Sequence, residues 1–142
     1  CARNTSLNDL LKEAKESGVK INSTEKNNPY LLHAVIGAKF AKETYGVSDK
    51  EILDAIASHT LGRVEMNSLQ KLIYIADMIE SERKFEGVEM IRKEAQNNLN
   101  KAFLKALSHT IKYVIDKRRE LHPETVKVWN SLVQELINES AV

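Results

Sequence analysis

The sequence predicts an all-helical domain. Apolar residues recur at intervals of three and four along several long segments, and sustained period-two alternation is hard to find. Only two prolines and five glycines punctuate 142 residues. At 16.1 kDa the chain fits one compact domain. A net charge of +1 implies no general attraction to nucleic acid or to an acidic membrane. No apolar run reaches the roughly 20 residues that span a bilayer. One cysteine excludes an internal disulfide framework and any zinc site built from several thiolates. A reducing, cytoplasmic setting is the expectation.

The first helix is expected from Ser6 to Ser17, with Leu7, Leu10, Leu11 and Ala14 on one face. Gly18 fits its C′ position, where a left-handed backbone is least costly. The polar stretch Asn22 to Pro29 reads as a loop. A second helix opens at Pro29, a good first-turn residue, and continues to Tyr45 before Gly46. Ser48 is the expected cap of a third helix, with Glu51 completing a capping box. That helix ends near His59, and the loop Thr60-Leu61-Gly62-Arg63 follows. The fourth helix runs from Ser68 to about Glu80. A polar connection through Phe85 and Gly87 leads to a short helix, Val88 to Gln96. A long helix, Leu99 to Arg119, comes next, and a last one opens at Pro123 and fades near Asn138.

Three side chains are polar where the helical pattern asks for apolar. The inward stripe of the second helix reads His33, Ile36, Gly37, Phe40, Ala41; that of the third reads Ile52, Ala55, Ile56, His59. On the fourth it reads Leu69, Leu72, Ile73, Ala76, Asp77. Each helix would then turn one metal-competent group toward a common core. An ionised carboxylate in an apolar core costs several kcal/mol unless it is paired or coordinates a cation. The inward positions offer Asp77 no basic partner one turn away. Two imidazoles and a carboxylate from separate helices would satisfy a divalent transition metal. The pattern alone leaves the plainer alternative open, in which each histidine is a core residue satisfied by a protein hydrogen bond.

Thr60, Gly62 and Arg63 follow His59 directly, and an arginine beside a flexible glycine suits fork-like gripping of phosphate. Arg83, a short step past Asp77, is a second candidate clamp. The run Lys117-Arg118-Arg119 reads as a stabilised helix end, where cations meet the negative pole of the dipole. His109 lies at the margin of its helix's apolar stripe. His122, just before Pro123, is expected to be exposed or to cap the last helix.

The strings NPYLLHAVIGA, AIASHTLGR, KLIYIADMIESER and HTIKYVI…HPETV resemble the YqeK-type branch of the HD superfamily. The resemblance covers nearly the whole chain in order and spacing. It implies symmetrical cleavage of diadenosine tetraphosphate by a two-metal site, usually of iron, with manganese or another divalent ion as the alternative. The metal ligands it carries over are His33, His59 and Asp77, with His59 and Asp77 central to catalysis. It also places Arg3 near the phosphates, beside Thr60, Gly62, Arg63 and Arg83. The expected partner is a dinucleoside polyphosphate or other nucleotide, not nucleic acid or membrane, and a homodimer is compatible with it. The sequence departs from the family in one respect. The family's first histidine and its His-Asp doublet would precede Cys1, on N-terminal helices this sequence does not show. Two other readings remain at this level: an HD hydrolase of a different nucleotide, and a non-catalytic nucleotide-binding or regulatory helical module.

Overall fold

The computed structural model describes residues 5–140, all of whose regular structure is helical. Helix α1 spans Leu7–Glu16, capped by the Ser6 hydroxyl, which accepts from the Asp9 amide. Gly18 follows its end at φ +69°, the left-handed conformation that glycine reaches without a Cβ clash. Leu10 and Ala14 are fully buried, but Leu7 stands 51% exposed at the open first turn rather than on the packed face.

The segment expected to be loop contains α2, Ser23–Asn27. Asn22 accepts from the Glu25 amide while the Glu25 carboxylate accepts from the Asn22 amide, a reciprocal box that lets five residues hold a helix. The helix expected from Pro29 comes in two parts. A 3-10 turn, Pro29–Leu32, leads into α3, His33–Glu43. Helix α4, Lys50–Ser58, is capped by Asp49 rather than Ser48, its carboxylate accepting from the amides of both Glu51 and Ile52. A charged acceptor serving two amides at the positive pole outcompetes a hydroxyl one residue earlier. Helices α5 (Ser68–Ile79), α6 (Val88–Asn97), α7 (Leu99–Asp116) and α8 (Pro123–Ser140) complete the chain.

Two hydrophobic clusters result. The smaller joins Leu10 and Ala14 of α1 to Leu32 and Ile36. The larger gathers Tyr74 and Ile75 of α5, Ile91 of α6, Phe103, Ala106 and Leu107 of α7, and Val128 and Leu132 of α8. Helix α3 packs on α4, α4 on α5, and α5 on α7, so the chain α3–α4–α5 bridges the two clusters.

The orientation of α5 differs from the expected one. Its core contacts come from Tyr74, Ile75, Met78 and Ile79, whereas Leu72 and Ile73 are exposed. The segment Leu-Ile-Tyr-Ile-Ala is apolar on every side, so its own periodicity cannot choose a face; the packing against α7 does. Ile52 on α4 is likewise exposed. His122 is only 8% exposed, contrary to the solvent-facing half of its expectation. Its Nδ1 accepts from the Glu124 backbone amide, as a cap, and its Nε2 lies 2.8 Å from the Asn22 side-chain nitrogen Nδ2. That contact ties the start of α8 to the start of α2. No described helix is long and apolar enough to cross a membrane.

Phe103 is almost fully buried at the centre of the larger cluster and meets Tyr74 edge-on, with ring centroids 5.1 Å apart. Phe103→Ala is therefore expected to lower the unfolding free energy by about 3–5 kcal/mol. Denaturant titration of both proteins measures it.

Candidate functional site

The two histidines of α3 and α4 are set by the same local device. His33, the first residue of α3, has Nδ1 2.7 Å from the Tyr30 carbonyl oxygen. His59, the C-cap of α4, has Nδ1 2.6 Å from the Ile56 carbonyl oxygen. A carbonyl oxygen only accepts, so both Nδ1 atoms carry protons, and in its neutral form either ring presents a lone pair at Nε2. The two Nε2 atoms lie 3.1 Å apart. Two lone pairs this close repel unless they share a proton or a cation. Two nitrogens, each about 2.0–2.1 Å from one transition-metal ion, can stand that far from each other. The donor set therefore fits a divalent metal. Thr60 joins the pair, its hydroxyl 3.2 Å from His33 Nε2.

The pair opens into a cleft of about 420 Å³ bounded by α3, α4, α5 and α7. Asp77 lines this cleft with the histidines, but not for the reason its sequence position suggested. Its side chain is 45% exposed, and Arg83 Nη2 approaches its Oδ2 at 4.0 Å. Because α5 is rotated from the expected face, Asp77 escapes the cost of a buried charge and has a basic neighbour. Among the described residues, no group of three His, Cys, Asp or Glu side chains converges closely enough to hold one metal. The structure thus brings His33 and His59 into contact and puts Asp77 in the same cleft.

Of the candidate phosphate groups, Arg83 reaches the cleft. Its buried Nε has no hydrogen-bond acceptor among the described residues, and the Glu80 carboxylate stays 3.8 Å away. A buried donor left unsatisfied costs about 1–3 kcal/mol, a cost this side chain bears while its partly exposed guanidinium faces the cleft. Arg63 and Gly62 are not among the residues that line this cleft. Arg63 Nη1 pairs with Asp54 Oδ2 at 3.3 Å and borders a different, small cavity. Hydrogen bonding from Lys50, with help from Arg63, holds the Asp54 carboxyl below its ordinary value. Gly62 turns the chain at φ +73°, where an added Cβ would lie 3.4 Å from Val128. Its requirement is backbone geometry against α8. Arg3 lies outside the described residues.

Several lining residues had no strong signal in sequence. Tyr74 faces the cleft one turn before Asp77, its hydroxyl 3.1 Å from Thr110 Oγ1. Burial, reinforced by the Asp77 charge, pushes the Tyr74 phenol up to about 12. His109, marginal on its helical wheel, stacks on Phe85 with ring centroids 4.0 Å apart. Burial, and then the charge of Lys112, lower its pKa, which keeps the ring neutral. The pairing of Phe85 with His109 spans a connection and a helix, so no local periodicity reveals it.

No family model matches the chain. It is similar to a protein named symmetrical bis(5'-nucleosyl)-tetraphosphatase from Halalkalibacterium halodurans, 41% identical over 105 residues, covering 74% of this chain and 56% of that protein. It is 42% identical over 107 residues to the Bacillus subtilis protein of the same name, covering 75% of this chain and 58% of that protein. The chain thus spans a little over half the length of these curated relatives. Among solved structures, it superposes on a predicted HD superfamily hydrolase involved in NAD metabolism from Clostridium acetobutylicum with a TM-score of 0.91. That match is 40% identical and covers 95% of this chain and 71% of the other.

The raised Tyr74 pKa has a consequence for stability. An acid whose folded pKa exceeds its unfolded one stabilises the fold fully below the unfolded value, near 10, and loses that contribution as pH climbs toward about 12. Unfolding free energies at pH 8 and pH 11 should therefore diverge in the native protein and converge in Tyr74→Phe.

Proposed function

Since this chain belongs to the HD superfamily of hydrolases, we propose that it carries metal-dependent cleavage of a dinucleoside polyphosphate, cutting diadenosine tetraphosphate at its central anhydride into two ADP. The observation that supports a metal-dependent reading most is the imidazole pair, two Nε2 atoms facing each other at 3.1 Å. The names of the two tetraphosphatases support the substrate class.

HD superfamily hydrolases are metal-dependent, and iron is the ion we assign here, with manganese as the alternative. His33 and His59 would hold it through Nε2, and Asp77 is the acidic ligand available in the same cleft. A two-metal site would need donors beyond these three side chains. A bound divalent ion supplies an acidified water and neutralises charge that develops on phosphoryl oxygens.

The remaining work falls to protein side chains. Arg83 donates from its partly exposed guanidinium to a phosphate oxygen, and its position near Asp77 keeps the guanidinium aimed into the cleft. The Thr60 hydroxyl stands ready as a donor beside the pair. Tyr74 remains protonated at neutral pH and fixes Thr110, while the stacked Phe85 and His109 give the cleft an uncharged wall. Positioning and preorganised positive charge are what phosphoryl chemistry demands of a protein.

In the full-length protein, His59→Ala is expected to abolish both bound metal and turnover of diadenosine tetraphosphate; elemental analysis showing wild-type iron would defeat the assignment. Arg83→Ala should raise KM about tenfold, the size of one charge-assisted hydrogen bond. Arg63→Ala, whose partner is Asp54, should leave KM within about twofold of the wild type, as expected for an exposed ion pair outside the site. Steady-state kinetics on the two variants separates the roles.

A further inference from the structure

A second cavity, of about 700 Å³, lies beside the cleft on the far side of α7 and is lined from α6, α7 and α8. It shares His109 and Tyr113 with the cleft. These two residues are one turn apart on α7 and form a ridge between the two spaces. On the cavity's floor and walls stand Trp129, Leu104 and Met90, while Ser108 and Lys112 edge it. Its volume falls in the range of small-molecule sites, about 300–1,000 Å³.

We propose that this cavity seats the second nucleoside of the dinucleoside substrate. The inference rests on the function proposed above. A tetraphosphate cut in the middle carries equal halves on both sides of the scissile bond. With the central anhydride at the His33–His59 pair, one half occupies the cleft and the other must leave it. The His109–Tyr113 ridge is the boundary that the cleft shares with a second space of sufficient size. That space offers what a base needs: aromatic and aliphatic surface for its face, and polar groups for its edges and ribose. Lys105 is neutralised by Glu94 at 2.7 Å, whereas Lys112 has no carboxylate paired with it among the described residues. Lys112 therefore meets the phosphate chain where it crosses the ridge. Another recess, of about 320 Å³, is lined by Thr24, Asn27, Asn28, Arg119 and Glu120. No aromatic, Leu, Ile, Val or Met side chain lines it.

Trp129 is the single tryptophan of these 142 residues, so with any tryptophan elsewhere in the full-length protein replaced by phenylalanine its fluorescence reports on this cavity. The probes are the uncleavable methylene-bridged analogues of diadenosine tetraphosphate and of adenosine tetraphosphate, added to full-length, metal-loaded protein. They share a phosphate chain and differ by one nucleoside. The dinucleoside analogue should bind about tenfold more tightly by calorimetry, the worth of one stacked base, and should quench Trp129. Met90→Glu puts a charge in the apolar wall from a position that is 59% exposed, so folding is spared. It should erase the tenfold preference while leaving the mononucleoside affinity unchanged. Equal affinity for the two probes, with unmoved Trp129 emission, overturns the second seat and leaves the proposed function standing. Failure of both probes to bind overturns the function proposed for the cleft, and this inference with it.

Discussion

The site depends on a close approach of two imidazole nitrogens that would otherwise repel. Each ring is locked in one tautomer by the carbonyl three residues earlier in its own chain, and the two Nε2 atoms then face each other at 3.1 Å. Holding them there requires α3 and α4 to pack tightly. Ala34 on α3 and Ala55 on α4 are both buried, and side chains that small let helix axes come near. The hydrogen-bonded Nδ1 atoms prevent either ring from turning its proton inward to relieve the contact. A shared proton or a cation is what remains.

How much of this was legible in sequence varies by residue. The helical fold, most helix boundaries and the two histidines follow from residue type and period, because caps and glycines act locally. The orientation of α5 does not. Its apolar residues surround the helix, and only the neighbouring α7 decides that Tyr74 and Ile75 turn inward. Asp77 reaches the cleft through that rotation, as an exposed group and not as the buried carboxylate its period suggested. Arg63 shows the opposite failure. Adjacency to His59 says nothing of side-chain direction once Gly62 has turned the backbone left-handed and Asp54 has captured the guanidinium. The Phe85–His109 stack joins a connection to a distant helix, beyond the reach of any local pattern.

The charges around the cleft divide by how firmly they are already held. Arg63 and Lys105 are committed, at 3.3 Å and 2.7 Å from their carboxylates. Arg83 is held near Asp77 and Glu80 at 4.0 Å and 3.8 Å, outside hydrogen-bonding distance. A cation kept close to acids but bonded to none retains its donors for a ligand. Its aim is set without its capacity being spent. The neutral, stacked His109 beside it adds no charge that would compete for the same phosphate.

This arrangement bears on the symmetry of the proposed reaction. A substrate whose halves are identical about the scissile bond presents the same chemistry twice to a chain that has no internal repeat. One helix with cavities on either side can answer this, because a helix offers different residues to opposite faces at fixed spacing. Helix α7 is so placed. Thr110 faces the cleft with Tyr74, Leu104 and Lys112 face the second cavity, and His109 and Tyr113 border both. The halves need not be bound alike, only bound at once, since cleavage at the centre is defined by where the anhydride rests and not by matching contacts at the two ends.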